Sequence, residues 1–171
     1  MVPDIGKAVS SLFYDNELRH HRRDNGLKHI YFYSTKGIMS EVNNSYVSAG
    51  DTKCCKMLYN QIRSRNANAN VQLLTYYRAQ ARDIQRVLPK ASVCCIDGFQ
   101  GEEADEVIIA LTSRVRSYGP SKFVRDVKRM NVAISRARNN LYVVGNIPTM
   151  ENATIWKSFL AKCIRRYTHF C

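Results

Sequence analysis

Between Cys95 and Asn146 the chain reads CIDGFQGEEADEVIIALT and, after a polar loop, FVRDVKRMNVAISRARNNLYVVGN. The first piece has the pattern of a buried strand end, a turn holding Gly98 and Gly101 around Gln100, and a second apolar strand from Val107 to Leu111. In the second piece Phe123, Val127, Met130, Ile134 and Ala137 recur every three or four positions, which predicts a helix with one apolar stripe. On that helix Arg136 would lie off the stripe, close in angle to Arg129, and Arg138 would point to nearly the opposite side. LYVVG follows as a short all-apolar run, the pattern of a central strand covered on both faces.

The rest of the chain repeats this alternation. Pro3 starts a helix with Ile5, Val9, Leu12 and Phe13 at helical spacing, and HIYFYS then reads as a strand. The polar run HHRRDNG, from His20 to Gly26, reads as a solvated loop. A helix is predicted from Ala49 with Cys54, Leu58 and Ile62 buried, and VQLLTYYRAQARDIQRVL reads as strand, turn and helix. Near the end, Trp156, Phe159, Leu160, Cys163, Ile164 and Tyr167 predict a final helix with a wide apolar stripe. Short apolar strands alternating with helices define an α/β domain: three layers around a central, mostly parallel sheet. Ligands of such sheets bind beyond the carboxyl ends of the strands, so Thr75, the turn after Ile96 and the loop after Val144 are expected to gather on one edge.

At 171 residues the chain suits one domain. No segment approaches the roughly 20 apolar residues of a membrane span, and no signal-peptide pattern opens the chain, so a cytoplasmic or nuclear location is expected. The net charge of +12 is unevenly placed, because Asp97, Glu102, Glu103, Asp105 and Glu106 cluster within ten residues that hold no base. The remainder is therefore strongly basic, the footprint of a polyanionic partner, nucleic acid before membrane. Cys54, Cys55, Cys94 and Cys95 lie in apolar segments, and no cysteines or histidines stand at zinc spacing. They read as reduced core thiols, with no metal site expected.

These residues closely resemble motifs V and VI of superfamily 1 helicases, in the branch of the RNA-surveillance (nonsense-mediated decay) helicase. Motif V is matched by Ile96, Asp97, Phe99, Gln100, Gly101 and Glu103, and motif VI by NVAISRAR, Asn131 to Arg138. Thr75, Tyr77 and Gln80 match motif IV, with Tyr76 in place of its proline. Met1, Pro3, Phe13 and Tyr14 match the family segment whose arginine would stand immediately before Met1. Ser48 and Asp51 occupy the places of a family Asn and Glu at the start of a helix.

The resemblance implies a RecA-like domain of P-loop NTPase type, and specifically the second of two, spanning residues 1–171. ATP and Mg²⁺ would bind only with a first domain supplied in cis or trans, since no GxxxxGK[ST] phosphate loop occurs in this sequence. By match, Arg136 is the arginine finger and Gln100 its catalytic neighbour near the γ-phosphate. Glu103 would accept from the ribose, with Gly101 completing the nucleotide contact. Thr75, Tyr77, Gln80 and Cys95 would contact single-stranded RNA or DNA, Cys95 standing where the family has Ser or Thr. The expected function is the carboxyl-terminal half of an ATP-dependent RNA or DNA helicase, without turnover of its own. The alternative is a stand-alone nucleic-acid-binding or regulatory module derived from one.

Overall fold

A computed structural model describes residues 1–17, 26–99, 102–113 and 119–168. Six strands, β1 (Ile30–Ser34), β4 (Val71–Thr75), β5 (Ser92–Cys95), β6 (Ala104–Ala110), β7 (Ala137–Gly145) and β8 (Ile164–Tyr167), form one sheet in the order β5-β4-β6-β7-β1-β8. Every pairing in it is parallel. The strands β2 (Ser40–Val42) and β3 (Ser45–Val47) make a separate antiparallel hairpin. Its turn is Asn43-Asn44, both with positive φ (49° and 58°), a conformation Asn tolerates and the tight hairpin turn requires.

The strict alternation of side chains along each strand divides the interior into two cores. Ile30, Phe32, Val107, Ile109, Leu141 and Val143 face one side, where α1 (Pro3–Phe13), α4 (Val127–Ile134), α5 (Ile147–Met150) and α6 (Thr154–Leu160) supply Ile5, Val9, Met130, Ile134, Met150, Trp156 and Phe159. Leu73, Ile108, Tyr142 and Val144 face the other side, against Cys54, Leu58 and Ile62 of α2 (Ala49–Arg65) and Ile84 of α3 (Arg78–Val87). Burial on both faces explains why the strands read as continuous apolar runs. Each fully buried Leu, Ile or Phe contributes roughly 1.5–3 kcal/mol to this packing.

Two expected helices end early. The helix predicted over Phe123 to Ala137 runs only from Val127 to Ile134: Asp126 caps it by accepting from the Arg129 amide (2.9 Å), and Val127 is exposed. Ala137 already belongs to β7, paired with Ala104 of β6. Sheet pairing there satisfies backbone groups that a continued helix would have withdrawn, so Arg136 sits in the turn and Arg138 on a strand. Likewise α6 stops at Leu160, and Ile164–Tyr167 forms β8 along the free edge of β1. Tyr167, counted in the apolar stripe of a final helix, is exposed.

One connection governs where the polar residues fall. Strands β5 and β6 both run parallel to β4 between them, so the chain must return from the carboxyl end of β5 to the amino end of β6. It does so within residues 96–103. A 3₁₀ turn at Ile96–Gly98 starts the crossing, and Ile96 and Phe99 are buried in the core on the α4 side.

Candidate functional site

At the carboxyl ends of the strands lies a knot of buried polar groups. The Asp51 carboxylate, in the first turn of α2, accepts from Thr35 Oγ1 (2.7 Å) and from the Thr112 amide (3.0 Å), tying together the ends of β1 and β6. Gln80 is fully buried: its Oε1 accepts from the Ser48 amide (2.7 Å) and Thr112 Oγ1 (3.0 Å), and its Nε2 donates to Thr52 Oγ1 (2.7 Å). Thr52 Oγ1 in turn donates to Asp83 Oδ2 (2.6 Å). This web holds Thr112 at φ 50°, a left-handed conformation that a β-branched residue adopts only where its surroundings impose it. Burial pushes the Asp51 carboxyl up to about 6, against the opposing hydrogen bonds from Thr35 and Thr112.

Beside the knot, a groove of about 850 Å³ opens between the β2–β3 hairpin, the start of α3 and the Ile96–Gly98 turn. Tyr77, Arg78, Arg82, Cys95, Asp97 and Phe123 line it. Thr75 is fully buried, donating to the Tyr77 carbonyl (3.0 Å) and standing 3.8 Å from Cys95 Sγ. Tyr77 is half-buried, edge-on to Tyr46 (5.3 Å between centroids) and tilted against Phe123 (5.6 Å). Its hydroxyl meets Ser121 Oγ at 3.0 Å. The structure thus brings Thr75, Tyr77 and Cys95 together at one edge. Gln80 has no exposed surface there and braces the groove from behind.

Glu103, Arg136 and Arg138 occupy the opposite end, at the amino ends of β6 and β7. The Ala104 amide donates to the Arg136 carbonyl (3.0 Å), which joins these two strand starts. Arg136 Nε donates to Val132 O (3.0 Å), a carbonyl in the last turn of α4 that also accepts from Ser135 Oγ (3.2 Å), and its Nη1 donates to Glu102 O (3.4 Å). Both partners are neutral, and among the described residues Arg136 has no carboxylate partner. The other two arginines of this region differ. Arg138 pairs with Glu103 (3.0 Å), and Arg129 pairs with Asp97 (2.9 Å) and Asp126 (3.3 Å) while lying 4.3 Å from the centre of the Phe123 ring. Gln100, Gly101, Arg114, Arg116 and most of the HHRRDNG loop lie outside the described residues.

Arg78, Arg82 and the hairpin also line the groove, and the apolar pattern does not single them out. The spacing of the two arginines, four apart directly after Tyr77, was the available signal, whereas the hairpin lay hidden in a loop rich in Gly, Ser and Asn.

A family model described as an AAA domain matches residues 1–148. The chain is 25% identical to the probable helicase senataxin of Homo sapiens over 97% of its own length and 7% of that protein. It is 28% identical to the ATP-dependent helicase upf1 of Schizosaccharomyces pombe over 78% of its length and 16% of that protein. It therefore spans a small part of these relatives. Its fold is similar to the crystal structure of the C-terminal domain of a possible DNA helicase from Lactobacillus plantarum WCFS1, with TM-score 0.58, 9% identity, and coverage of 96% of this chain and 95% of that one.

Proposed function

The chain belongs to the AAA-domain family of superfamily 1 helicases, as a carboxyl-terminal RecA-like domain, and from that membership we propose that it completes an ATP-dependent helicase by presenting Arg136 to a nucleotide. The observation that carries this reading is the state of the Arg136 charge. Two backbone carbonyls fix its position, and no carboxylate among the described residues neutralises it. A planar cation held this way suits phosphate recognition, because it is oriented in advance and its charge is unspent. ATP supplies the phosphoanhydride that is cleaved, and its phosphates and ribose would be met here by Arg136 and Glu103. Magnesium and the phosphate loop belong to a first RecA-like domain, for which this chain proposes no substitute. Gln100 and Gly101 remain proposed nucleotide-side residues on the resemblance alone.

In this reading Arg136 stabilises negative charge as it spreads over the γ-phosphate oxygens. Glu103 releases its pair with Arg138, an exposed contact of small worth, when it accepts from the ribose. At the other end of the sheet, Tyr77 and Cys95 contact a single strand of RNA or DNA, with Thr75 and Gln80 holding the backbone that presents them. The test is turnover in a protein that joins this chain to a first RecA-like domain carrying a phosphate loop. Arg136→Ala is expected to lower kcat by about 10³-fold or more, the range typical of arginine fingers. Arg136→Lys, which keeps a point charge but loses the fork, is expected to recover little. A variant that stays folded by circular dichroism and keeps its kcat within about threefold contradicts the assignment.

A further inference from the structure

We propose that the outer edge of β8, with the arginine-rimmed tyrosine surface beside it, is a docking site for an extended, acidic segment of another protein, which joins the sheet as an added strand. The site needs neither nucleotide nor nucleic acid, and it lies at the far side of the sheet from β4 and β5.

Among the described residues β8 pairs only with β1, and Arg165, Arg166 and Tyr167 are all exposed. Just past the strand the Thr168 amide donates to Ser34 O (3.2 Å), so it points at β1. Backbone groups alternate in direction along a strand, so the amides of Arg166 and Ile164 also point at β1, and the N–H and C=O groups of Arg165 and Tyr167 point outward. An outward row of this kind is a template for one more strand.

The side chains beside the edge select what can pair there. Register with β1 sets Ile164 level with Tyr31 and Arg166 level with Tyr33, on the sheet face that α2 covers at β6 and β7. Tyr31 and Tyr33 are only partly covered, and Tyr31 stacks on Tyr142 (5.3 Å between centroids, 14° between planes). Burial pushes the Tyr33 hydroxyl up, and the neighbouring cations Arg166 and Arg65 oppose that rise. Both arginines are exposed and form no ion pair among the described residues. The carboxylates at hand are engaged: Glu151 by Arg165 (2.7 Å), and Glu106 by Asn140 and Tyr142. Tyrosine and arginine are the residues that carry most of the energy at protein interfaces, and two unmatched guanidinium groups favour acidic side chains opposite them.

Two other occupants fit less well. Antiparallel pairing with β8 of a second copy sets Arg165 and Arg166 of one chain against Arg166 and Arg165 of the other, a like-charge contact that opposes self-association. A nucleic-acid strand has no regular row of N–H and C=O groups to bond the edge. It would also find one face of each stacked ring spent on the other, and the Tyr31 and Tyr142 hydroxyls committed to Lys28 O and Glu106.

The experiment follows amide exchange by NMR in the full chain, with an octapeptide of alternating Glu and Val as the probe. Strand addition puts every Glu of this peptide on one face and every Val on the other. In the free chain the Arg166 amide is expected to exchange slowly and those of Arg165 and Tyr167 fast, and the peptide is expected to slow the latter two. N-methylation at every residue of the peptide, which keeps its charge and removes its donors, is expected to weaken binding by about tenfold or more. Arg166→Glu is expected to weaken it by about tenfold, and Arg86→Glu, the same charge change on α3, by less than about twofold. Circular dichroism establishes that both variants are folded. Absence of peptide binding, binding indifferent to N-methylation, or equal losses from the two charge reversals overturns the proposal. So does single-stranded oligonucleotide binding that falls with Arg166→Glu but not with Arg86→Glu, which would make this a nucleic-acid surface. None of these outcomes bears on the Arg136 turnover test.

Discussion

The two ends of the sheet both carry polar side chains and use them in opposite ways. At the carboxyl ends Asp51, Thr35, Thr112, Gln80 and Ser48 are buried and bonded to one another. At the amino ends Glu103 and Arg138 are roughly half exposed, and among the described residues Arg136 is held by carbonyls. Buried polar groups lock geometry because each unmet partner is costly, whereas exposed charges contribute little stability and remain free to change partners. One end is a frame for the groove, and the other is a set of charges available to a ligand.

The sharpest way to break this contrast is to cut one carboxylate at each end. Asp51→Ala leaves the Thr112 amide and the Thr35 hydroxyl unmet inside the protein, at about 1–3 kcal/mol each, so a loss of roughly 2–6 kcal/mol is expected in urea unfolding. A loss below about 1 kcal/mol would mean the knot does not frame the fold.

Acidity sharpens the same point with a somewhat smaller effect. The Asp51 carboxyl titrates near 6 when folded against 3.8 as its ordinary value, so the folded chain holds its proton more tightly than the unfolded one. Stability from this group is therefore fully present below about 3.8 and is lost as pH rises through about 6, by up to roughly 3 kcal/mol for a shift of about two units. Glu106, also raised by burial, adds in the same direction. In Asp51→Asn the amide oxygen can accept from Thr112 and the amide nitrogen can donate to Thr35, with no charge to bury. Its decline in stability between pH 4 and 7 is expected to be clearly shallower than that of the native chain, and equal slopes would contradict the assignment.

The smallest effect belongs to the amino end. Glu103→Ala removes an exposed pair with Arg138 and is expected to change unfolding free energy by less than about 0.5 kcal/mol. A loss approaching that of Asp51→Ala would erase the distinction between the ends.

Legibility in the sequence followed the same division. The parallel sheet, its two covered faces, and the helices at Pro3 and Ala49 were readable because burial writes a periodic apolar pattern. The ends of α4 and α6 were not. The apolar positions Ala137 and Ile164 fit a helical stripe equally well, and pairing with β6 and β1, remote in sequence, decided the matter. The gathering of Thr75 and Cys95 followed from strand order alone. What spacing could not convey is that Gln80 would be buried behind the groove, that Arg138 would take Glu103 as partner, or that Arg136 would be left with carbonyls. The arginine outcomes depend on the β5–β6 crossing, whose direction is set by a sheet order that local pattern does not carry, and the burial of Gln80 depends on its packing against Ser48, Thr52 and Thr112.

The most direct test of the division of labour is one measurement with two readouts on the same two-domain preparations: kcat at saturating oligonucleotide and oligonucleotide affinity at fixed salt. The account predicts that Arg136→Ala lowers kcat by about 10³-fold or more with affinity unchanged within about twofold, and that Tyr77→Ala weakens affinity with kcat at saturating oligonucleotide unchanged within about twofold. Substitutions that move both readouts together, at either end, would contradict it.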